Sequence, residues 1–263
     1  MKKGKVLYYR DEINDDFAGT DIKPFPIGPD FPFAPKSLLW RVFEFLAYYV
    51  FAIPIVSLIY LFVGFSFHNL RAIKKLKKAS HKGFFIYANH TSWLDAFLAP
   101  IICFPRKAHV LVSPDTVSIK GIRTLVQMLG AIPVPTERGA VKPFISALEE
   151  RIDQGRSVMI FPEAHIWPYC TFIRNFKAGS FRYPVSMNVP SVAVCVAYVK
   201  RRGVFRLIKT PRRRVFVSEP FCPDTSLPAP EAKQKLRDEV YSWLKNTADS
   251  NNEFEYVRYV RKA

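Results

Sequence analysis

Residues 84–97 read FFIYANHTSWLDAF, a buried strand followed by a polar loop and then a helix. The apolar run Phe84–Tyr87 is typical of a buried strand. The polar pair Thr91–Ser92 is suited to cap the N-terminus of a helix. On one continuous helix His90 and Asp95 would point about 140° apart, because each residue turns by about 100°. A helix that begins between them instead places the loop histidine beside an aspartate of the first turn.

This His90/Asp95 spacing has two interpretations. Asp95 could accept the Nδ1–H of His90, which fixes the tautomer and leaves Nε2 free as a general base. Alternatively, Asp95 simply favours a helix N-terminus and the histidine is unrelated to it. The motif alone leaves both interpretations open.

Further along the chain, short apolar runs alternate with helical patterns. The predicted strands are Phe84–Tyr87, His109–Val112, Ala131–Val134, Ser157–Phe161, Val192–Val199 and Arg214–Ser218. Helices are predicted near Leu94–Cys103, Ile119–Leu129, Val141–Asp153 and Pro230–Lys245. This order predicts an α/β fold with a mixed, mainly parallel sheet covered by helices.

An apolar N-terminal segment precedes this αβ pattern. Residues 45–67 carry no charged side chain, and a helix of about 20 such residues crosses a hydrocarbon core. Pro54 lies in the middle and is expected to kink or break the helix, which gives two shorter helices, Leu38–Ile53 and Ile55–Leu70. A single span and a helical hairpin that enters one leaflet both fit this pattern.

Charge places the remainder of the chain at a membrane surface. The chain of 263 residues has a net charge of +17, and 49% of its residues are hydrophobic. Few cations precede the apolar segment, whereas a dense group follows it: Arg71, Lys74, Lys75, Lys77, Lys78 and Lys82. If the apolar segment spans the membrane, the positive-inside rule places the C-terminal portion on the cytoplasmic face. If the segment forms a hairpin, the same cations can bind anionic headgroups, and the remainder of the chain is again expected at the cytoplasmic surface.

Three later segments place polar residues at strand ends. GAIPVPTER (130–138) ends in Arg138, which by itself is either an ordinary exposed loop arginine or, through its planar guanidinium, a phosphate contact. MIFPEAHIW (159–167) is a strand followed at once by Glu163 and His165. NVPSVAVCVAY (188–198) leads from a loop proline into an apolar strand.

Together with ANHTSWLD, these segments resemble the four motifs of the glycerolipid acyltransferase family, whose best-known members are the 1-acylglycerol-3-phosphate acyltransferases. The first motif matches Asn-His-x-x-Ser-x-x-Asp at every defining position, and the resemblance extends from Lys82 to Glu219. It implies an acyltransferase fold with an N-terminal membrane-associated helical segment.

The resemblance also implies roles for individual residues. His90 would take the proton from the acceptor hydroxyl, and Asp95 would orient the imidazole. Arg138 would hold the acceptor's phosphate, and Glu163 would position its glycerol. The oxygen would then attack the thioester of acyl-CoA or acyl carrier protein, with no metal, cofactor or covalent enzyme intermediate.

The third motif departs from the family pattern FPEGTR. Ala164, His165 and Ile166 stand where the family has Gly, Thr and Arg. His165, Arg174 or Lys177 could supply the missing phosphate contact, or the acceptor is not lysophosphatidic acid. The expected partners are therefore membrane lipids, an acyl donor and a lysophospholipid or another amphiphilic acceptor. The alternative function is that of a non-catalytic membrane- or nucleic-acid-binding protein of the same fold, against which the intact His90/Asp95 pair argues.

The remaining features concern partners and domain limits. The run Lys200–Arg214 is strongly basic, and a hairpin that contacts anionic lipid, CoA or an acidic carrier is favoured over nucleic-acid binding. The four cysteines form no Cys-x-x-Cys pair, so a reducing compartment is expected. Four segments are predicted: a Pro-rich N-terminus (1–37), a membrane-associated helix or hairpin (38–79), a catalytic domain (80–225), and a C-terminal helix with its tail (226–263).

Overall fold

The computed structural model describes residues 4–19, 22–119 and 121–262. Its strands are β1 (Lys5–Tyr9), β2 (Phe65–His68), β3 (Phe85–Ala88), β4 (Ala108–Val112), β5 (Ala131–Pro133), β6 (Ser157–Ile160), β7 (Ser191–Val199), β8 (Arg212–Val217) and β9 (Val257–Arg261). Every predicted strand is present, and each of its ends lies within two residues of the predicted one.

Seven strands form the central sheet in the order β2-β8-β7-β3-β6-β4-β5. Strands β7, β3, β6, β4 and β5 run parallel to one another, whereas β8 is antiparallel to β7 and β2 runs parallel to β8. The predicted mixed, mainly parallel sheet is therefore confirmed. We call the end at which the five parallel strands finish the carboxyl end of the sheet.

The helices are α1 (Leu38–Val63, with a π-helical stretch at Leu46–Ala52), α2 (Leu70–Ala79), α3 (Leu98–Cys103), α4 (Arg123–Met128), α5 (Val141–Asp153), α6 (Arg182–Met187) and α7 (Ala229–Asn251). Short 3-10 turns lie at Trp93–Phe97, Pro114–Val117, Arg138–Ala140, Gly179–Phe181 and Gly203–Leu207. Each helix predicted after residue 80 is present, although α4 is shorter than predicted and α7 continues past the predicted end.

Alternation along the central strand β3 builds both halves of the core. Phe84, Ile86 and Ala88 pack on one face of the sheet, against side chains of α1, α2 and α3. Phe85 and Tyr87 pack on the other face, against α5 and α7. The sheet is thus covered by helices on both faces, as its apolar strands require.

The prediction that Pro54 breaks the apolar segment is wrong, because α1 is continuous from Leu38 to Val63. A proline lacks an N–H group, and its ring clashes with the carbonyl four residues earlier in an ordinary helix. Here the turns before it are wider: the N–H of Ile53 bonds the carbonyl of Tyr48, five residues back. The π-helical stretch therefore accommodates the proline without a break.

The predicted second helix, Ile55–Leu70, is also wrong in its last part. Gly64 adopts φ 86° and ends α1, since a left-handed residue cannot continue the helix. The following residues Phe65–His68 form β2, which pairs with β8 at the border of the sheet. A short apolar strand directly after an apolar helix has no separate signal in the sequence.

The two ends of the chain meet in a small sheet that the sequence did not predict. β1 pairs in parallel with β9, with Lys5 opposite Val257 and Tyr9 opposite Arg261. This pair joins the predicted N-terminal segment to the C-terminal tail. The limits of the four predicted segments stay a prediction.

The basic run between β7 and β8 is the connection of an antiparallel hairpin, as predicted. All four cysteines are free, and Cys103, Cys170 and Cys195 are buried.

Candidate active site

The candidate site lies at the carboxyl end of the sheet, where β3 runs into the loop 89–92. The side chain of Asn89 continues the pairing of β3 with β7: its Nδ2 donates to the carbonyl of Val196 at 3.0 Å, and its Oδ1 accepts from Val196 N at 2.8 Å. A 3-10 turn, Trp93–Phe97, then starts with Ser92 as its N-cap. The predicted helix start between His90 and Asp95 is therefore present, although its first turn is 3-10 rather than α.

Local backbone groups hold the buried side chain of Asp95. Its Oδ2 accepts hydrogen bonds from Thr91 N at 2.6 Å and Ser92 N at 2.7 Å. The hydroxyl of Thr91 lies 3.3 Å from the same oxygen. Asp95 closes a capping box with Ser92, so the loop that carries His90 depends on this carboxylate.

His90 faces this carboxylate, with 3.6 Å between its Nδ1 and Asp95 Oδ2. This distance is longer than a hydrogen bond, as is common for acid–base pairs in structures without bound substrate. Nδ1 of His90 and Oδ1 of Asp95 are buried, and neither has a hydrogen-bond partner within the described part of the chain. The imidazole stacks on Phe161 at a centroid distance of 3.8 Å, which restricts the orientation of the ring.

Glu163 joins the loop after β6 to the loop that carries His90. Its Oε2 accepts from His90 N at 3.1 Å, and its Oε1 accepts from Arg174 N at 2.8 Å. The guanidinium of Arg174 pairs with Oε2 at 3.3 Å, and both side chains are buried. Both carboxylate oxygens are thus engaged within the protein, and the predicted contact with an acceptor glycerol stays a prediction.

The altered third motif faces the N-terminal segment. His165 Nδ1 lies 3.1 Å from Asp16 Oδ2, and Trp167 Nε1 donates to the carbonyl of Asp15 at 2.8 Å. Arg174 donates to the carbonyls of Glu12, at 3.2 Å, and of His165. In this chain the third motif therefore binds part of its own N-terminus, a contact that the sequence pattern did not predict.

The two exposed cations considered for phosphate binding lie apart from this network. Arg138 starts the turn after β5, three strands from β3 at the same end of the sheet. It is exposed and makes no hydrogen bond or ion pair with the described residues. Lys177 is also exposed. Arg174, by contrast, is fully buried, so it presents no guanidinium to a ligand from solution.

A buried chain of side chains behind Asp95 was missed by the sequence analysis. The hydroxyl of Tyr198 donates to Thr91 Oγ1 at 2.7 Å. The guanidinium of Arg213 lies 5.6 Å from the Tyr198 ring and also faces the rings of Phe65 and Tyr169. Burial raises the pKa of Tyr198 well above its usual range, so this hydroxyl remains a donor. A tyrosine inside an apolar strand pattern is predicted to be a core residue. Only the structure shows that the Tyr198 hydroxyl contacts the loop 89–92.

No group of three or more His, Cys, Asp or Glu side chains within the described ranges could hold a metal ion. The expectation that the chemistry needs neither metal nor cofactor stays a prediction.

Comparison with known proteins identifies the class to which this arrangement belongs. A family model described as "Acyltransferase" matches residues 65–197, from β2 through most of β7. Curated protein sequences gave no match. Among solved structures, the 1-acyl-sn-glycerophosphate (LPA) acyltransferase PlsC from Thermotoga maritima matches with a TM-score of 0.52 and 18% sequence identity, over 79% of each chain.

The family match covers half of the chain and includes the loop with His90 and Asp95. The chain therefore belongs to the acyltransferase family and is an acyl-transferring enzyme, as the motif resemblance predicted. The similarity to PlsC confirms that it has the fold of a glycerolipid acyltransferase.

Proposed function

We propose that the protein is a membrane-associated O-acyltransferase that moves a fatty acyl group from acyl-CoA or acyl carrier protein to the hydroxyl of a lysophospholipid. The simplest reaction converts 1-acylglycerol-3-phosphate to phosphatidic acid. The observation that carries the proposal is His90 facing the anchored carboxylate of Asp95 across 3.6 Å at the carboxyl end of the sheet.

In the proposed reaction, Nε2 of His90 takes the proton of the acceptor hydroxyl as its oxygen attacks the thioester carbon. The imidazolium formed is stabilised by Asp95, which lies on its Nδ1 side. The carbon–oxygen bond forms and the carbon–sulfur bond breaks. The departing thiolate takes the proton from His90, so the imidazole returns to its starting state without a covalent enzyme intermediate.

Arg138 is the proposed phosphate contact, because it is an exposed cation at the same end of the sheet and has no partner within the described residues. His165, which lies 3.1 Å from Asp16, is a second proposed contact in the acceptor site. Glu163 supports the site by holding the His90 backbone at 3.1 Å, beside its predicted role toward the acceptor's glycerol.

The decisive experiment measures thioester consumption by the purified full chain in detergent, with a panel of lysophospholipid acceptors. We expect His90→Ala to lower kcat by about 10²- to 10⁴-fold, the usual contribution of a general base. His81→Ala is the matched control, because His81 is exposed and lies before β3. Equal rates for the wild type and His90→Ala would disprove the proposed mechanism.

A second candidate acceptor, an amphiphile without the usual phosphate, is favoured by the altered third motif. The guanidinium nearest to this motif, that of Arg174, is buried against Glu163 and cannot receive a ligand in this arrangement. If the acceptor carries a phosphate, Arg138→Ala should raise its KM by about tenfold or more, since hydrogen bonds to charged groups contribute about 1.5–3 kcal/mol. An unchanged KM would favour the second acceptor.

The proposed association with a membrane is supported by α1, the one helix among the described residues that is long and apolar enough to cross a bilayer. Glu44 near its start pairs with Lys107 at 2.7 Å, and Tyr60 near its end donates to the carbonyl of Leu94 at 2.8 Å. Because α1 contacts the catalytic domain near both ends, we propose that it lies along the bilayer surface with its exposed apolar side in the lipid. The basic cluster that follows α1 suits the anionic lipids of the cytoplasmic leaflet, which favours the cytoplasmic face for the active site.

A further inference from the structure

The connection between β7 and β8, residues 200–211, exposes apolar side chains at its apex. We call it the hairpin tip. Phe205, Leu207 and Ile208 lie in or next to its short 3-10 turn and are 62%, 89% and 42% exposed. Leu207 is the most exposed large hydrophobic side chain in the described part of the protein. Apolar side chains at a protruding turn gain nothing from the core, so their exposure points to contact with another apolar phase.

Cations surround this apex. Residues 200–214 contain no acidic side chain. Five cations at or beside the hairpin tip are exposed, and their side chains make no hydrogen bond or ion pair with the described residues: Lys200, Arg202, Arg206, Lys209 and Arg212. Unpaired cations around exposed apolar side chains form the pattern that binds anionic headgroups while apolar groups enter the acyl region.

The hairpin tip is fastened to the end of α1. Arg201 donates from Nε to the carbonyl of Thr210 at 2.7 Å and from Nη2 to the carbonyl of Val63, the last residue of α1. Arg213 N donates to the carbonyl of Gly64 at 3.2 Å, where β8 starts to pair with β2. Leu61 and Phe62, at this end of α1, are 73% and 71% exposed. Two exposed apolar surfaces are thus joined by hydrogen bonds at one place.

This place is at the carboxyl end of the sheet, because β7 ends and β8 begins there. His90 follows β3, the neighbour of β7, at the same end. A bilayer in contact with both the end of α1 and the hairpin tip would therefore lie on the side of the molecule where the acceptor and the acyl chain must enter.

We propose that the hairpin tip is a second membrane-insertion element that recognises anionic lipid, with Phe205, Leu207 and Ile208 in the interface and the five cations on lipid phosphates. This inference rests on the proposed membrane association and deepens it: α1 provides apolar attachment, and the hairpin tip provides the preference for negative charge and fixes the orientation of the active site.

The test measures insertion at two positions of the full chain. A polarity-sensitive fluorophore is attached to Leu207→Cys, or to Leu61→Cys in α1, in a Cys222→Ser background that removes the exposed native thiol. Phosphatidylcholine vesicles with and without phosphatidylglycerol are added. We expect a blue shift at both positions, and a shift at position 207 that is larger on the anionic vesicles.

Binding of charge variants supplies the second measurement. Arg202→Gln/Arg206→Gln/Lys209→Gln should weaken partitioning into anionic vesicles on the order of 10- to 100-fold and leave binding to neutral vesicles nearly unchanged. The matched control Lys233→Gln/Lys235→Gln/Lys245→Gln removes the same charge from α7. This helix packs on the face of the sheet opposite to α1, so the control should have little effect. Activity on detergent-dispersed substrates checks that each variant is folded.

Each outcome decides the proposal. A shift at position 61 without one at position 207 overturns the hairpin tip as an insertion element and leaves membrane association by α1 intact. No shift at either position overturns both. Equal weakening of vesicle binding by the two triple variants would show that only net charge matters, which overturns the proposal. A shift at position 207 with RNA but not with vesicles would make the hairpin tip a nucleic-acid contact, which also overturns it.

Discussion

At the scale of single residues, Asp95 makes two kinds of contact at once. The same oxygen that faces His90 accepts the N–H groups of Thr91 and Ser92, at 2.6 and 2.7 Å. The sequence led to this pair because a histidine before a capping position and an acid after it can meet only at a helix start. The sequence could not predict that the Tyr198 hydroxyl supports this pair through Thr91, because a hydroxyl within an apolar strand produces no recognisable sequence pattern.

That support leads to a prediction for Tyr198. Its hydroxyl bonds Thr91 Oγ1 at 2.7 Å, and Thr91 in turn contacts Asp95. Tyr198→Phe removes one buried hydrogen bond of about 1 kcal/mol and loosens the loop, so kcat should fall by several-fold up to about tenfold with KM unchanged. Steady-state kinetics on the proposed substrates provide the measurement. Tyr169 lies beside Tyr198 with its ring tilted by 47°, and its hydroxyl makes no such bond, so Tyr169→Phe should retain the wild-type kcat. A change in KM alone for Tyr198→Phe would contradict the assigned role.

Ala164 illustrates how a departure from the family pattern affects the backbone. It adopts φ 64°, the left-handed region, at the position where the resembled motif has glycine. A Cβ there costs about 1–2 kcal/mol, whereas glycine costs about 0.4–1 kcal/mol of unfolded-state entropy. Ala164→Gly should therefore raise the free energy of unfolding by up to about 1 kcal/mol, as measured by chemical denaturation in detergent.

Ala178→Gly is the control for this change, because Ala178 has φ −75° and gains nothing from glycine. It should lower stability by about 0.4–1 kcal/mol, because glycine raises the conformational entropy of the unfolded chain. A destabilised Ala164→Gly variant would show that the methyl group makes a contact worth more than the strain.

At the scale of elements, the loops after β3 and β6 are joined by the buried Glu163–Arg174 pair. Removing one partner leaves an uncompensated buried charge, so Arg174→Met should destabilise the protein by about 3–5 kcal/mol. The double variant Glu163→Gln/Arg174→Met leaves no buried charge and should recover part of that loss. Unfolding free energies of the two single variants and the double variant measure the coupling, and additive losses would show that the two side chains act independently.

The elements also show where sequence patterns fail. Every strand of the parallel part was predicted, because each is a short apolar run between turn residues. The break predicted at Pro54 is absent, because the π-helical residues Leu46–Ala52 widen the turns before the proline. β2 was hidden in the apolar run 45–67, and β1 and β9 were missed because their pairing joins residues at opposite ends of the chain. Long-range pairing and helix widening depend on tertiary contacts, which no local pattern contains.

At the scale of the whole molecule, charge is distributed unevenly between the surface and the interior. The chain carries a net charge of +17, and His109 on β4 is buried near three of its cations. Its Nε2 has no hydrogen-bond partner in the part of the chain that the structure describes. Burial, together with the charges of Lys107, Arg151 and Arg156, holds the pKa of His109 well below its usual value.

The sign of the pH effect follows from this lowered pKa. Below about pH 6.5 the unfolded chain binds a proton at His109 that the folded protein does not bind, so stability falls as the pH decreases. One such group contributes a slope of up to about 1.4 kcal/mol per pH unit. We expect the unfolding free energy in non-ionic detergent to fall between pH 7 and 5, and His109→Gln to remove this part of the slope. His81→Gln, at an exposed histidine, should leave the slope unchanged. If wild type and His109→Gln have parallel pH profiles, His109 is protonated in the folded protein and its pKa is not lowered by burial.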